Sequence, residues 1–259
     1  MNALHYHERP QLRQPALIMA FGGWNDAGQS ASVAVRYLAE QFAAKPLATI
    51  DPDEFYDFTV QRPQVRLTEG LQRQVEWTAN EFHFTANPAL PCDLVFGWGP
   101  EPHLKWKAFC AIVMRLIKDC EVEVVVTLGG YLAEVLYSRP VPITAFASDP
   151  ELLRRLDLTS TRYEGPTGIV GVLVDACRRE GLTHVSLWAA LPHYIAALPN
   201  PRGALALLMQ ATAFLKLPAD LGPLQAAAGV FEQKIDEAVA ADAKLSAYVR
   251  ELKKREFAN

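Results

Sequence analysis

Short apolar runs, many of them β-branched, recur at residues 16–21, 47–50, 93–96, 122–128, 141–147 and 185–190, and longer segments of helical period lie between them. Strands that are apolar without alternation are covered on both faces, and strands alternating with helices build a mostly parallel sheet between two helical layers. The pattern predicts an α/β fold, a three-layer α/β/α sandwich. A first helix is expected over 29–42, where Val33, Val35, Leu38 and Phe42 fall in register and Lys45-Pro46 ends it. A second runs to about Cys120. A third follows the turn Gly165-Pro166-Thr167-Gly168 and reaches about Arg179, with Gly181 as its stop.

Two regions depart from this rhythm. Residues 55–60 read as a short extended piece, and within about 62–86 the alternation of Val65-Arg66-Leu67 and Leu71 to Trp77 around Gly70 predicts a β-hairpin excursion with one wet face. Beyond Pro218 the stripe Leu224, Ala228, Phe231, Ile235, Ala238, Leu245, Val249 and Leu252 predicts helices, with Asp242 at a bend. A core domain over 1–218 is thus expected to carry a C-terminal helical extension over 219–259, packed on it or at an oligomer interface.

If the strands are parallel, the segments that follow them meet at one edge, where open α/β sheets keep their ligand sites. That edge gathers Gly22, Gly23, Trp24, Asn25 and Asp26 after the first strand, with Trp98 and Glu101 after the third. Gly129, Gly130 and Tyr131 follow the 122–128 run, and His193 and Tyr194 follow the last. Glycines let a ligand approach the backbone, and the indole rings offer a flat apolar wall. Asp26, Glu101 and His193 are the candidate acid–base groups. Each also has a structural use: Asp26 as a helix cap, the glycines as a turn, the tryptophans as buried packing and His193 as a hydrogen-bonded fixture. Pro166, Thr167 and Gly168 either present backbone N–H groups to an anion at a helix N-terminus or only start the helix.

Composition removes several classes of function. Lys and Arg number 25 against 29 Asp and Glu, for a net charge of −4, so binding to nucleic acid or anionic membrane lacks its electrostatic drive. The longest apolar stretch, 204–217, is interrupted by Gln210 and Thr212 and is too short to span a bilayer. Met1 to Pro10 carries charges and has no apolar core of signal-peptide length. Cys92, Cys110, Cys120 and Cys177 form no C-x-x-C pair, as in reduced cytoplasmic proteins. Neither a P-loop, a G-x-G-x-x-G turn nor a G-x-S-x-G elbow occurs, and no metal or cofactor is expected.

The chain resembles the proteasome assembly chaperone 2 family, especially its bacterial members. The resemblance runs through Phe21-Gly22-Gly23-Trp24-Asn25-Asp26-Ala27-Gly28, Tyr131-Leu132-Ala133-Glu134-Val135 and Arg139-Pro140-Val141-Pro142. It continues through Ala147-Ser148-Asp149, Tyr163 to Val172 and Ala189-Ala190-Leu191-Pro192-His193-Tyr194. It implies a phosphorylase/hydrolase-like sandwich with a C-terminal helical extension. It also implies a chaperone-like protein, a homo-oligomer (a trimer before other assemblies) that recognises a protein partner. By the same resemblance, docking of archaeal relatives on the proteasome looks like insertion of a C-terminal hydrophobic-Tyr-any motif; here Phe257-Ala258-Asn259 places alanine at the tyrosine position, so docking by this tail is not expected. The same fold resemblance implies the alternative, a small-ligand-binding protein or hydrolase/phosphorylase-like enzyme using the edge crevice.

Overall fold

In the computed structural model, which describes residues 3–68 and 72–258, the elements are as follows. In chain order they are β1 (Leu4–Tyr6), β2 (Ala16–Gly22), α1 (Ser30–Gln41), β3 (Lys45–Ile50), β4 (Gln64–Leu67), β5 (Arg73–Glu76), β6 (Asn80–Thr85), β7 (Leu94–Pro100) and α2 (Trp106–Asp119). There follow β8 (Val124–Ala133), β9 (Ile143–Ala147), α3 (Pro150–Arg155), α4 (Ile169–Arg179), β10 (Thr183–Pro192), α5 (Pro201–Leu215), α6 (Gly222–Ala241) and α7 (Ala243–Ala258). The expected hairpin turn at Gly70, the start of its second arm at Leu71, the tail residue Asn259 and the side chains of Phe257 and Ala258 lie outside the described residues.

Eight strands form one sheet in the order β1-β3-β6-β7-β2-β8-β10-β9. The inner four, β7, β2, β8 and β10, pair in parallel, and the strands outside them pair antiparallel. Alternation within β2 shows how the layers form. Leu17, Met19 and Phe21 pack with Phe109 and Val113 of α2 and Ile169 and Leu173 of α4, while Ala16, Ile18 and Ala20 pack with Ala31, Val35 and Leu38 of α1 and Leu207 and Leu208 of α5. Each fully buried aliphatic side chain of this kind contributes roughly 1.5–3 kcal/mol. Small residues on the α1 face let that helix approach the sheet closely. The three-layer α/β/α sandwich expected from the apolar pattern is present.

Local readings differ from the structure in four places. Residues 55–60 form turns, with Phe55 and Tyr56 buried beneath them. The free hairpin consists of β4 and β5 alone, because Asn80–Thr85 joins the main sheet between β3 and β7. Strand β8 runs straight through Gly129 and Gly130 instead of stopping there. Strand β1 adds an edge to β3 that the apolar pattern does not announce.

The bend at Asp242 is a helix start: its carboxylate accepts from the backbone amides of Lys244 at 2.8 Å and Leu245 at 3.1 Å. Beyond it, α6 and α7 enclose a small separate core of Ile235, Val239, Val249 and Leu252 against Leu136 and Tyr137.

Candidate functional site

All four inner strands end at the same edge, and the segments leaving them build a rim with two ends. At the first, the chain turns through Gly22 and Gly23, the latter at φ 98°, a conformation that favours glycine. The carbonyl of Gly22 accepts from the amide of Glu101 at 2.9 Å. Trp24 projects outward and is 62% exposed, whereas Asn25 turns inward and is fully buried. The Asn25 carbonyl accepts from the Gly130 amide at 2.8 Å, and its Nδ2 donates to Glu101 Oε1 at 2.8 Å.

That same Oε1 accepts from the backbone amide of Ile169 at 2.7 Å. The N-terminus of α4, expected to offer N–H groups to an anion, therefore holds the chain's own Glu101 carboxylate, which suits the positive end of the helix dipole. Gly168 has to be glycine: a Cβ there would fall 2.2 Å from Asn25 Oδ1 and 2.7 Å from Glu101 Oε1. Asn25 Oδ1 is buried without a hydrogen-bond partner. Pro166 and Thr167 stay on the outer side of this turn. The Pro166 carbonyl accepts from the Tyr163 hydroxyl at 2.9 Å, and Thr167 lies over Gly171, where a Cβ would meet its hydroxyl.

Asp26 closes the N-terminus of α1 from below. Its Oδ1 accepts from the Ala31 amide at 2.7 Å, and its Oδ2 accepts from the Ser32 hydroxyl at 2.5 Å. Burial pushes its carboxyl pKa up, and these hydrogen bonds pull against that shift. Of its two expected uses, acid–base group and helix cap, the contacts are those of the cap.

At the other end of the rim, His193 Nδ1 lies 3.2 Å from the Ala133 carbonyl and Nε2 lies 3.4 Å from the Tyr248 hydroxyl of α7. The Tyr194 hydroxyl donates to the Val135 carbonyl and accepts from the Tyr137 amide, both at 3.0 Å. The rings of His193, Tyr194 and Tyr248 meet edge to face. Gly129 and Gly130 lie within β8 and serve packing. A Cβ on Gly129 would fall 2.6 Å from the Trp188 ring, and one on Gly130 2.6 Å from Ser30 Oγ. Tyr131, next along β8, is partly exposed.

The structure therefore brings Asn25, Glu101 and Gly168 together, and separately His193 with Tyr194; no hydrogen bond or ring contact links the two groups among the described residues. Beside the first lies an open cleft of about 630 Å³ lined by Trp24, Trp77, Trp98, Arg36, Glu81 and Glu101, among others. Trp98 stacks on His83 at 4.4 Å between centroids, and the Arg36 guanidinium lies 5.9 Å from the Trp98 ring. The sequence reading missed Arg36, Glu81 and Trp77 as members of this site. The four-residue spacing that puts Ser32 and Arg36 on one face of the helix after Asp26 is the signal that could have found the first of them.

Among the described residues no group of three or more His, Cys, Asp and Glu side chains is placed to hold a metal. The thiols of Cys110 and Cys177 are buried, which pushes their pKa values up to about 12 and about 11, away from nucleophilic thiolate. No helix among the described residues is long and apolar enough to cross a membrane.

Comparison with known proteins adds to this geometry. The model of the PAC2 family matches residues 20–239. The solved structure of Rv2125, a proteasome-assembly chaperone homologue from Mycobacterium tuberculosis, is 39% identical, with 90% of this chain and 99% of that one covered at a TM-score of 0.83. A PAC2 family protein from Streptomyces avermitilis is 40% identical, with 91% and 99% covered at a TM-score of 0.83. PbaB of Pyrococcus furiosus, an archaeal proteasome activator, shares the fold at 18% identity, with 91% and 97% covered and a TM-score of 0.71. No curated protein matches the chain.

Proposed function

Because the chain belongs to the PAC2 family, we propose that it acts as a chaperone-like protein-interaction or assembly factor in the cytoplasm, working as a homo-oligomer, with a trimer the first assembly to test. One observation carries this role: the β4–β5 ribbon holds an apolar face in solvent. Val65 pairs with Val75 and Leu67 with Arg73, so Val65, Leu67 and Val75 share one side with Arg73, while Gln64, Arg66, Gln74 and Glu76 share the other. Every residue of both strands is exposed, and Arg66 and Glu76 form an ion pair on the polar side.

A two-stranded ribbon is marginal in water by itself, and an exposed apolar patch marks a surface that another protein covers. The description of the M. tuberculosis relative as a proteasome-assembly chaperone homologue supports the same role. So does the rim: Asp26 is spent on capping α1 and His193 Nε2 contacts the Tyr248 hydroxyl. Four free cysteines suit a reducing compartment.

The test is size-exclusion chromatography with light scattering on the wild-type chain and on Leu67→Asp/Val75→Asp. The wild type is expected to be an oligomer, and the double variant a smaller species with an unchanged melting temperature. A wild-type chain that stays monomeric at every concentration overturns the oligomeric role.

A further inference from the structure

Glu101 has one carboxylate oxygen fixed and the other left over. Oε1 accepts from both Asn25 and the start of α4. Oε2 accepts from no group among the described residues and is not one of the buried unpartnered atoms, and Glu101 is a lining residue of the cleft. A surface glutamate normally gives up side-chain entropy when it binds a ligand. Here the two donors on Oε1 have already removed much of that freedom.

Aromatic faces stand around this oriented oxygen. Three of the chain's five tryptophans, Trp24, Trp77 and Trp98, line the cleft, and Trp24 and Trp77 are 62% and 54% exposed. Trp24 follows Gly23, where a Cβ would lie 3.9 Å from Glu101 Cβ. An aromatic face together with a carboxylate recognises an ammonium or guanidinium.

The charged residues of the lining are Glu81, Glu101 and Arg36, with His103 beside them. Two carboxylates against one guanidinium leave a net charge of one negative. Arg36 already occupies the Trp98 face, Glu81 contacts His83 at 3.4 Å, and His103 Nδ1 accepts the Asp57 amide at 3.0 Å. Among the described residues, the Trp24 ring and Glu101 Oε2 have no such partner.

From this geometry we infer that the cleft binds an organic cation on an apolar stem, of the kind that ends an arginine or lysine side chain, with the stem on Trp24 and the head group on Glu101 Oε2. The inference does not depend on whether the ribbon face is an oligomer interface, since the cleft is present in a single copy of the chain.

The test is titration of the full chain, followed by calorimetry and tryptophan fluorescence. The probes are Ac-Gly-Arg-Gly-NH2, its citrulline counterpart, Ac-Gly-Glu-Gly-NH2 and n-butylguanidinium. The arginine peptide is expected to saturate, with the citrulline peptide and the Glu101→Gln variant each weaker by about tenfold or more. Trp24→Ala is expected to weaken binding while leaving the melting temperature in place, which keeps the test valid if Glu101→Gln folds poorly. Tighter binding of the arginine peptide than of butylguanidinium identifies a peptide as the source of the cation, and equal binding identifies a free small cation. Equal binding of arginine and citrulline peptides, preference for the glutamate peptide, or no saturation by either cation overturns the inference.

Discussion

At one end of the rim, Glu101 and Trp24 border an open cleft; at the other, Glu134, His193 and Tyr194 lie beneath α7. The covered end displays the interaction that the open end lacks. Arg255 of α7 lies 3.3 Å from Glu134 Oε1, and the Tyr248 hydroxyl lies 3.2 Å from the same oxygen, beside the rings of His193 and Tyr194. A carboxylate among aromatic rings there receives the chain's own guanidinium. Glu101 has comparable neighbours, and Oε2 has no such partner among the described residues. Both ends follow from the same topology, parallel strands ending at one edge, but the C-terminal helices cover only one of them.

The sharpest way to break this contrast is to remove the support beneath the open end. Asp26→Ala strips the acceptor from the Ala31 amide and the Ser32 hydroxyl in a site that is 6% exposed. Lost capping and unpaired buried donors together are expected to cost about 2–4 kcal/mol by chemical denaturation. Asp26→Asn keeps an acceptor without the charge and is expected to remain close to wild type. Because burial raises the pKa of Asp26, its protonated form is the one the fold prefers. Its contribution is therefore fully present below the ordinary aspartate pKa and lost as pH rises through the raised value. Wild-type stability relative to Asp26→Asn should fall over that interval. A difference that rises with pH would show that the hydrogen bonds outweigh burial.

Gly168→Ala attacks the joint itself. The added methyl meets Asn25 Oδ1 and Glu101 Oε1, and overpacking of this kind costs about 1–3 kcal/mol. Loss of stability is expected, together with weaker binding of the arginine peptide, because Oε2 loses its fixed direction. If the variant is destabilised but binds the peptide as wild type does, the orientation of Glu101 does not matter for the ligand.

How much of this was legible in the residues depends on where the deciding partner lies. Residues 16–21 and most of 122–128 read correctly as strands because burial on both faces is written into a run that is apolar almost throughout. Asn25 and Glu101 were legible as members of one edge, since parallel strands bring their ends together, whereas Gly168 was legible only as part of a turn that starts a helix. Gly129-Gly130 misled because the reason for glycine there is the Trp188 ring on β10 and Ser30 on α1, which no local pattern displays. Asn80–Thr85 alternates just as the hairpin arms do, so its place beside β3 and β7 could not be read from period alone. His193 was visible as a histidine after a core strand, but the tyrosine that contacts it comes from α7, far along the chain. Arg36 entered the cleft through the face of a helix expected to serve only packing.

At the covered end, His193→Ala removes an exposed ring from the three-ring cluster and its polar contacts to Ala133 and Tyr248. A cost of about 1 kcal/mol is expected from the lost aromatic contacts. Limited proteolysis should show faster cleavage within α7 and no change near the open cleft. An effect on arginine-peptide binding comparable to that of Trp24→Ala would mean that the two ends act as one site.

The smallest effect is expected for Arg255→Ala. The Arg255 and Glu134 side chains are 58% and 55% exposed, and ion pairs in water at such exposure contribute little because solvent and salt screen them. Melting should therefore change by the equivalent of about 0.5 kcal/mol or less, and the difference should vanish in high salt. Removing Arg255 also frees Glu134 to receive a cation from solution. If the covered end is a filled copy of the open one, the variant should gain a second, weak arginine-peptide site that wild type lacks. Its absence would show that Tyr248 and the packing of α7, rather than the guanidinium, keep that end closed.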